Sequence, residues 1–388
     1  MSTPPGQATP LVWSRRMVAR HPDEEHRSAT VLELFFDLCF VVAVAQAASG
    51  LHHAISDDHV ADGVGGYLLV FFAIWWAWMN FTWFASAYDT DDMAYRVTTF
   101  VQIAGALVFA AGVPRALDHR DFAVCTLGYV IMRLAMVTQW LRAAQADPAH
   151  RRGCLRFAMG VTLVQIGWVA RLALPDGWGT PVFLLLVVAE LAVPIWAETL
   201  AHTTWHPEHI AERYGLFTII VLGESVLAAT LAIETAMAAD VALVDIVTVA
   251  VGGLLTAFSM WWLYFAKDAA SFLTSLRAGF VWGYGHYVIF ASAAAVGAGL
   301  AVNVDHTIDD AHIGSVTAAA AFCVPVAVFL VAVWLLHWRP HHLTGWHSAL
   351  APATAVAVLL AVFAPRPVLV AGLLLAALVV LGSVRRAR

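Results

Sequence analysis

The chain has 388 residues, 61% of them hydrophobic and only 12% charged, with a mean hydropathy of +0.76. That composition excludes a soluble globular domain. The net charge of −6 says little about partners, and no basic stretch interleaved with aromatics suggests a nucleic-acid surface. What remains is an all-α integral membrane protein with most of its charge in short loops.

Residues 1–31 carry Arg15, Arg16, Arg20 and Arg27 but no apolar segment of a cleavable signal, so they read as a segment that stays in the cytoplasm. Crossing a hydrocarbon core of about 30 Å takes about 20 apolar residues as helix. Windows of that length fall at 32–52, 64–87, 95–113, 121–142, 154–173, 179–201, 210–234, 241–266, 278–302, 312–337, 345–364 and 367–384. No ten-residue alternation suggests a barrel, so about twelve transmembrane helices are expected.

With the N-terminus inside, the outer side receives Arg115, Arg120, Arg171 and Arg366, Arg133 falls within a span, and the rest of the 21 basic residues lie on the inner side. This bias predicts both termini in the cytoplasm of a plasma-membrane protein. The four cysteines lie singly in or beside apolar segments and read as small core residues.

The chain also aligns with itself. "ELFF…VAVAQ" from Glu33 matches "ERYG…VLGES" from Glu212, an offset of 179 residues. The next helix of each half carries a tryptophan pair, Trp75 and Trp76 against Trp261 and Trp262. An acid follows each pair, Asp89 against Asp268, and then an arginine, Arg96 against Arg277. Six helices per unit predict two parallel repeats, 32–202 and 203–388.

"ELFFDLCFVVAVAQ" (33–46) and "ERYGLFTIIVLGESVLA" (212–228) resemble the two signature segments of the bacterial low temperature requirement protein A (LtrA) family. "WWAWMNFTWFASAYDTDD" (75–92) and "YGHYVIFASAAAVGAG" (284–299) fit as well, with Cys39 and Tyr214 as small departures. The resemblance implies a polytopic bacterial membrane protein linked by family name to growth in the cold. Phe35, Phe36 and Asp37 are also similar to the Phe-Ser-Asp step of the endolysosomal potassium and proton channel family. Phe36 replaces that serine, and Leu216 stands where the second half would carry aspartate.

Ionisable groups at mid-membrane cost about 2.5 to 3.5 kcal/mol on insertion scales and need a partner or a role. Arg133, Glu190 and Glu224 each lie roughly 16 Å into their spans, and His286 is shallower. One reading makes Glu224 and Glu190 protonatable sites with Arg133 as counter-ion; the other makes Arg133 a static partner that locks two helices. Gly223 and Ser225 beside Glu224 favour close backbone approach and hydration.

Glu33 has the capping-box spacing behind Thr30. Asp37, one turn deeper on the same face, calls for a protein partner such as Trp75, Trp76, Arg27 or Arg96. Trp261, Trp262 and Arg277 join Glu33, Trp75, Trp76 and Arg96 as structural or gating candidates.

His202, His206 and His209, and His337, His341, His342 and His347, read as interfacial histidines. The spacing of His202 and His206 would suit zinc, but Pro207 follows and no carboxylate motif does. His52 and His53 offer an external pH sensor. "GFVWG" (279–283) predicts close helix packing.

No nucleotide loop, nucleophile elbow or cofactor motif is present, so the expected function is non-enzymatic and cofactor-free. The leading expectation is a proton-coupled secondary transporter of a small solute, with Asp37, Glu190, Glu224, Arg133 and His286 along its path. The alternative is a cation channel lined by the first and seventh helices. Its partners are the lipid bilayer, the solute or ion, and, as an allowed arrangement, further copies of the chain.

Overall fold

The computed structural model describes residues 12–20, 27–175, 177–200, 202–238, 242–339 and 349–383. Twelve α-helices and no strand occur among them. They are α1 (Val31–Ser56), α2 (Val60–Tyr88), α3 (Met93–His119), α4 (Ala123–Ala146), α5 (Arg151–Arg171), α6 (Gly179–Glu198), α7 (Pro207–Ala238), α8 (Leu243–Tyr264), α9 (Leu276–Thr307), α10 (Ser315–Val333), α11 (Leu350–Leu360) and α12 (Pro367–Ser383). A π-helical turn, Trp334–Trp338, extends α10.

By length and composition, nine of the described helices can cross a membrane. Two further helices, α11 and α12, are apolar but shorter.

The sequence sets the helix ends. Thr30 caps α1 in the expected box: its Oγ1 accepts from the Glu33 amide at 3.3 Å, and Glu33 Oε2 accepts from the Thr30 amide at 2.7 Å. Asp92 caps α3 by accepting from the Tyr95 amide at 2.7 Å, and Ser275 caps α9 by accepting from the Ala278 amide at 3.2 Å.

Packing follows a recurrent scheme. α3 lies along α4 and α9 along α10; α1 packs on α3 and α7 on α9; α5 follows α4 as α11 follows α10. Glycine makes the two longest contacts possible. A Cβ on Gly128 of α4 would meet the Phe109 backbone of α3, and one on Gly299 of α9 would meet the Ala321 carbonyl of α10. α8 along α12 and α1 along α9 have no counterpart of like extent.

The tryptophan pairs matched in sequence differ in setting. Trp75 and Trp76 are 2% and 0% exposed, whereas Trp261 and Trp262 are 46% and 49% exposed and face outward from the bundle.

Candidate functional site

The two signature segments meet at the face of the bundle where α1 and α7 begin. On α1, Glu33 and Asp37 share a buried stripe with Phe36 and Phe40. On α7, His209 and Arg213 are likewise one turn apart and fully buried. Arg213 grips Asp37 through Nε to Oδ2 at 3.0 Å and Nη2 to Oδ1 at 2.5 Å, and Trp78 Nε1 donates to Asp37 Oδ1 at 2.7 Å. A planar guanidinium against both oxygens of one carboxylate is the strong form of this contact.

Glu33 is more than a cap. Its Oε1 lies 3.1 Å from Arg213 Nη1, 3.1 Å from His209 Nε2 and 3.4 Å from Arg27 Nη2, contacts that are close without being aligned hydrogen bonds in the first two cases. Arg27 also approaches Asp89 Oδ2 at 3.5 Å and donates to the Ser86 carbonyl. Glu212, the first residue of the second signature, accepts from the Ala29 amide at 3.0 Å.

Arg27 and Asp89 lie outside the helices. Burial lowers the Arg27 pKa, opposed by Glu33. Burial, reinforced by the charge of Glu33 and opposed by Arg27, raises the Asp89 carboxyl to about 6.

The partners of Asp37 are therefore Trp78 and Arg213, not Trp75, Trp76, Arg27 or Arg96. Trp75 Nε1 has no hydrogen-bond partner among the described residues. Arg96 forms a surface fork with Asp91 at 2.7 Å, and Arg277 is exposed. Arg213 escaped the sequence reading because, near the start of its span, it counts as one more interfacial arginine. Its signal was its place one turn beyond His209, at the start of the second signature segment.

Glu190 forms a second centre, inside the α2–α4–α5–α6 group. Its Oε1 accepts from Tyr129 at 2.9 Å, Gln165 at 3.1 Å and Trp168 at 3.2 Å; its Oε2 accepts from Trp76 and Arg133, each at 2.9 Å. Five donors on one buried carboxylate make a locked junction of four helices. Of the two readings of Arg133, this geometry matches the static pair.

Glu224 differs from both. It is half-buried on α7, next to Gly223, around which there is open space, and it has no hydrogen bond or ion pair among the described residues. Ser225 turns inward and donates to the Ala293 carbonyl at 3.0 Å.

His286 is buried in a polar chain of its own. Its Nδ1 is 2.7 Å from the Trp282 carbonyl, and its Nε2 is 3.0 Å from Tyr264 OH and 3.3 Å from His337 Nε2. The structure thus joins Glu33 with Asp37, and Glu190 with Arg133 and Trp76, while Glu224 and His286 stand apart from both groups.

At the opposite face, His52 Nε2 meets Asp305 Oδ2 at 2.5 Å, Ser56 donates to the same oxygen at 2.9 Å, and the His312 amide donates to the Ser56 carbonyl at 2.7 Å. α1 is thereby tied to α9. Of the other histidines, His202 is exposed and 3.6 Å from Glu198. His341, His342 and His347 lie outside the described residues. Among the described residues, no group of three or more His, Cys, Asp or Glu is arranged to hold a metal ion.

Long apolar helices joined by buried charge pairs define a polytopic α-helical membrane protein. The family model described as "Bacterial low temperature requirement A protein (LtrA)" matches residues 28–384. The chain belongs to that family, and the match takes in both segments that meet at Arg213. It is also similar to an uncharacterized protein of Rhizobium meliloti (strain 1021), 27% identical over 297 residues, covering 70% of this chain and 68% of that one.

Proposed function

We propose that the protein is a proton-coupled carrier of a small solute in the plasma membrane, built from two six-helix units, 32–202 and 203–388, with its pathway between them. The observation that carries this reading is the contrast among the three membrane carboxylates. Asp37 and Glu190 are saturated by donors, while Glu224 has no partner among the described residues. A carboxylate without a cationic partner inside a bilayer needs a proton or another cation to neutralise it, and an exchangeable proton is what coupling uses.

The recurrence of the α1–α3–α4 packing as α7–α9–α10 supports the two-unit arrangement. The distribution of arginines supports both termini inside and all twelve helices spanning. A carrier is favoured over a pore lined by α1 and α7, because Arg213 neutralises the carboxylate such a pore would offer to cations. No catalytic role is assigned to any residue.

The test is solute-dependent proton flux in proteoliposomes. Flux that saturates with solute and collapses in Glu224→Gln is expected; non-saturating, voltage-driven current, or a Glu224→Gln variant with full flux, overturns the reading.

A further inference from the structure

A small cavity of about 40 Å³ lies among α2, α4, α5, α6 and α9, one to two turns in from the face where α1 begins. Six aromatic rings line it: Trp83, Phe84, Trp140, Phe157, Phe280 and Tyr284. It also takes in the glycine step of "GFVWG", which was expected to bring two helix backbones together and does not. A Cβ on Gly279 would stand 2.9 Å from the Trp83 ring and 3.4 Å from the Trp205 ring, and one on Gly283 would stand 3.2 Å from the Tyr214 hydroxyl. The glycines make room for aromatic walls.

The polar inventory of the cavity is one-sided. Among its described lining residues most side-chain donors are engaged: one N–H of Asn80 Nδ2 on the Trp76 carbonyl at 2.8 Å, Trp83 Nε1 on Tyr214 at 3.0 Å, Tyr284 OH on the Leu191 carbonyl at 3.1 Å and Thr203 Oγ1 on Glu198 at 2.6 Å. Trp140 Nε1 is buried and has no hydrogen-bond partner among the described residues. Asn80 Oδ1 carries no hydrogen bond among the described residues. Pro194, also in the wall, has no N–H for the carbonyl of Glu190 one turn back.

Among the described residues, no Lys, Arg or His lines the cavity. The nearest charge in the wall's own bonding is the Glu198 carboxylate behind Thr203, whose amide it also binds at 2.9 Å; exposed His202 stands 3.6 Å from it. Ring faces, spare acceptors and a carboxylate behind the wall, with no cationic side chain among the described lining residues, suit a cation and disfavour an anion. Room for about three waters suits a small organic head group.

We propose that this cavity binds a small organic ammonium ion, held by cation–π contacts and the field of Glu198. As the solute class of the carrier this rests on the transport reading; as a binding site it stands alone.

The test is equilibrium binding of radiolabelled tetramethylammonium to the purified full-length protein in lipid nanodiscs. Saturable binding is expected, competed by choline and not by its neutral isostere 3,3-dimethylbutan-1-ol. Trp140→Leu and the less buried Phe280→Leu should each weaken it roughly ten-fold. Each variant's melting temperature is recorded alongside, and a purely structural ring would not change the preference for choline over the neutral alcohol. No saturable binding, or equal competition by the alcohol, overturns the site. Selective binding without flux would overturn the carrier and leave the site standing.

Discussion

Arg213 of α7 is shared by Asp37 and Glu33, two carboxylates one turn apart on α1, and no water-exposed surface remains on any of the three side chains. Removing one member of such a group strands the others. Arg213→Leu should therefore destabilise the protein by about 3 to 5 kcal/mol, and Asp37→Asn by a similar amount. Their double variant should cost less than the sum, because the Asp37–Arg213 pair is then removed together and only Glu33 still loses a partner. Thermal unfolding in detergent of the single and double variants measures the coupling; strict additivity would contradict the pairing.

Glu190 should behave as a junction of the fold. Glu190→Leu leaves Arg133 and four further donors without their acceptor and should lower stability by several kcal/mol. The double variant with Arg133→Leu should recover part of that loss. A single variant that folded as well as the parent would show that the five-donor arrangement contributes nothing.

Glu224 should show the reverse profile. With no partner among the described residues, Glu224→Gln should change stability by less than about 1 kcal/mol, yet reduce solute-driven proton flux by at least roughly ten-fold. Melting temperature and flux measured on one preparation separate the two effects.

Asp89 gives a pH dependence with a definite sign. Burial first, and Glu33 second, raise its carboxyl to about 6 from the model-peptide value of 3.8. The folded state thus holds the proton more tightly than the unfolded chain. Stability from this group is full below about pH 4, falls as pH rises from there to about 6, and is level above that, with a total change of up to about 3 kcal/mol. Between pH 4 and 7, the stability of the parent relative to Asp89→Asn should fall with this slope in denaturation of the two proteins. Parallel slopes would refute the assignment.

Gly128→Ala should cost about 1 to 3 kcal/mol, because the new methyl meets the Phe109 backbone across the α3–α4 contact. Gly223→Ala, where nothing lies within 4 Å, should be neutral or slightly stabilising through helix propensity. Comparing the two melting temperatures checks that close approach, rather than glycine content, sets the packing.

The helices were legible because an apolar run of the right length has few other solutions in a bilayer, and Thr30 with Glu33 marked the start of α1 to the residue. Asp37 was legible as a residue needing a partner. Its partner was not, because contacts between residues 176 apart depend on how helices pack, which periodicity does not encode. Trp261 and Trp262 illustrate a further limit: they match Trp75 and Trp76 in pattern, but a tryptophan pair reads alike whether it faces protein or lipid. Glu190 and Arg133 were found by depth alone, while the hydroxyl, amide and indoles that complete their setting, Tyr129, Gln165, Trp76 and Trp168, look like ordinary membrane residues in sequence.

α1 is fastened at its first two turns to α7 through Arg213 and near its last turn to α9 through Asp305. A rod pinned at both ends cannot slide along its neighbours, but it can rock. If the bundle parts at one face, the surviving tie at the other becomes the fulcrum, and the 26 residues of α1 become the lever arm that converts a broken ion pair into displacement on the far side.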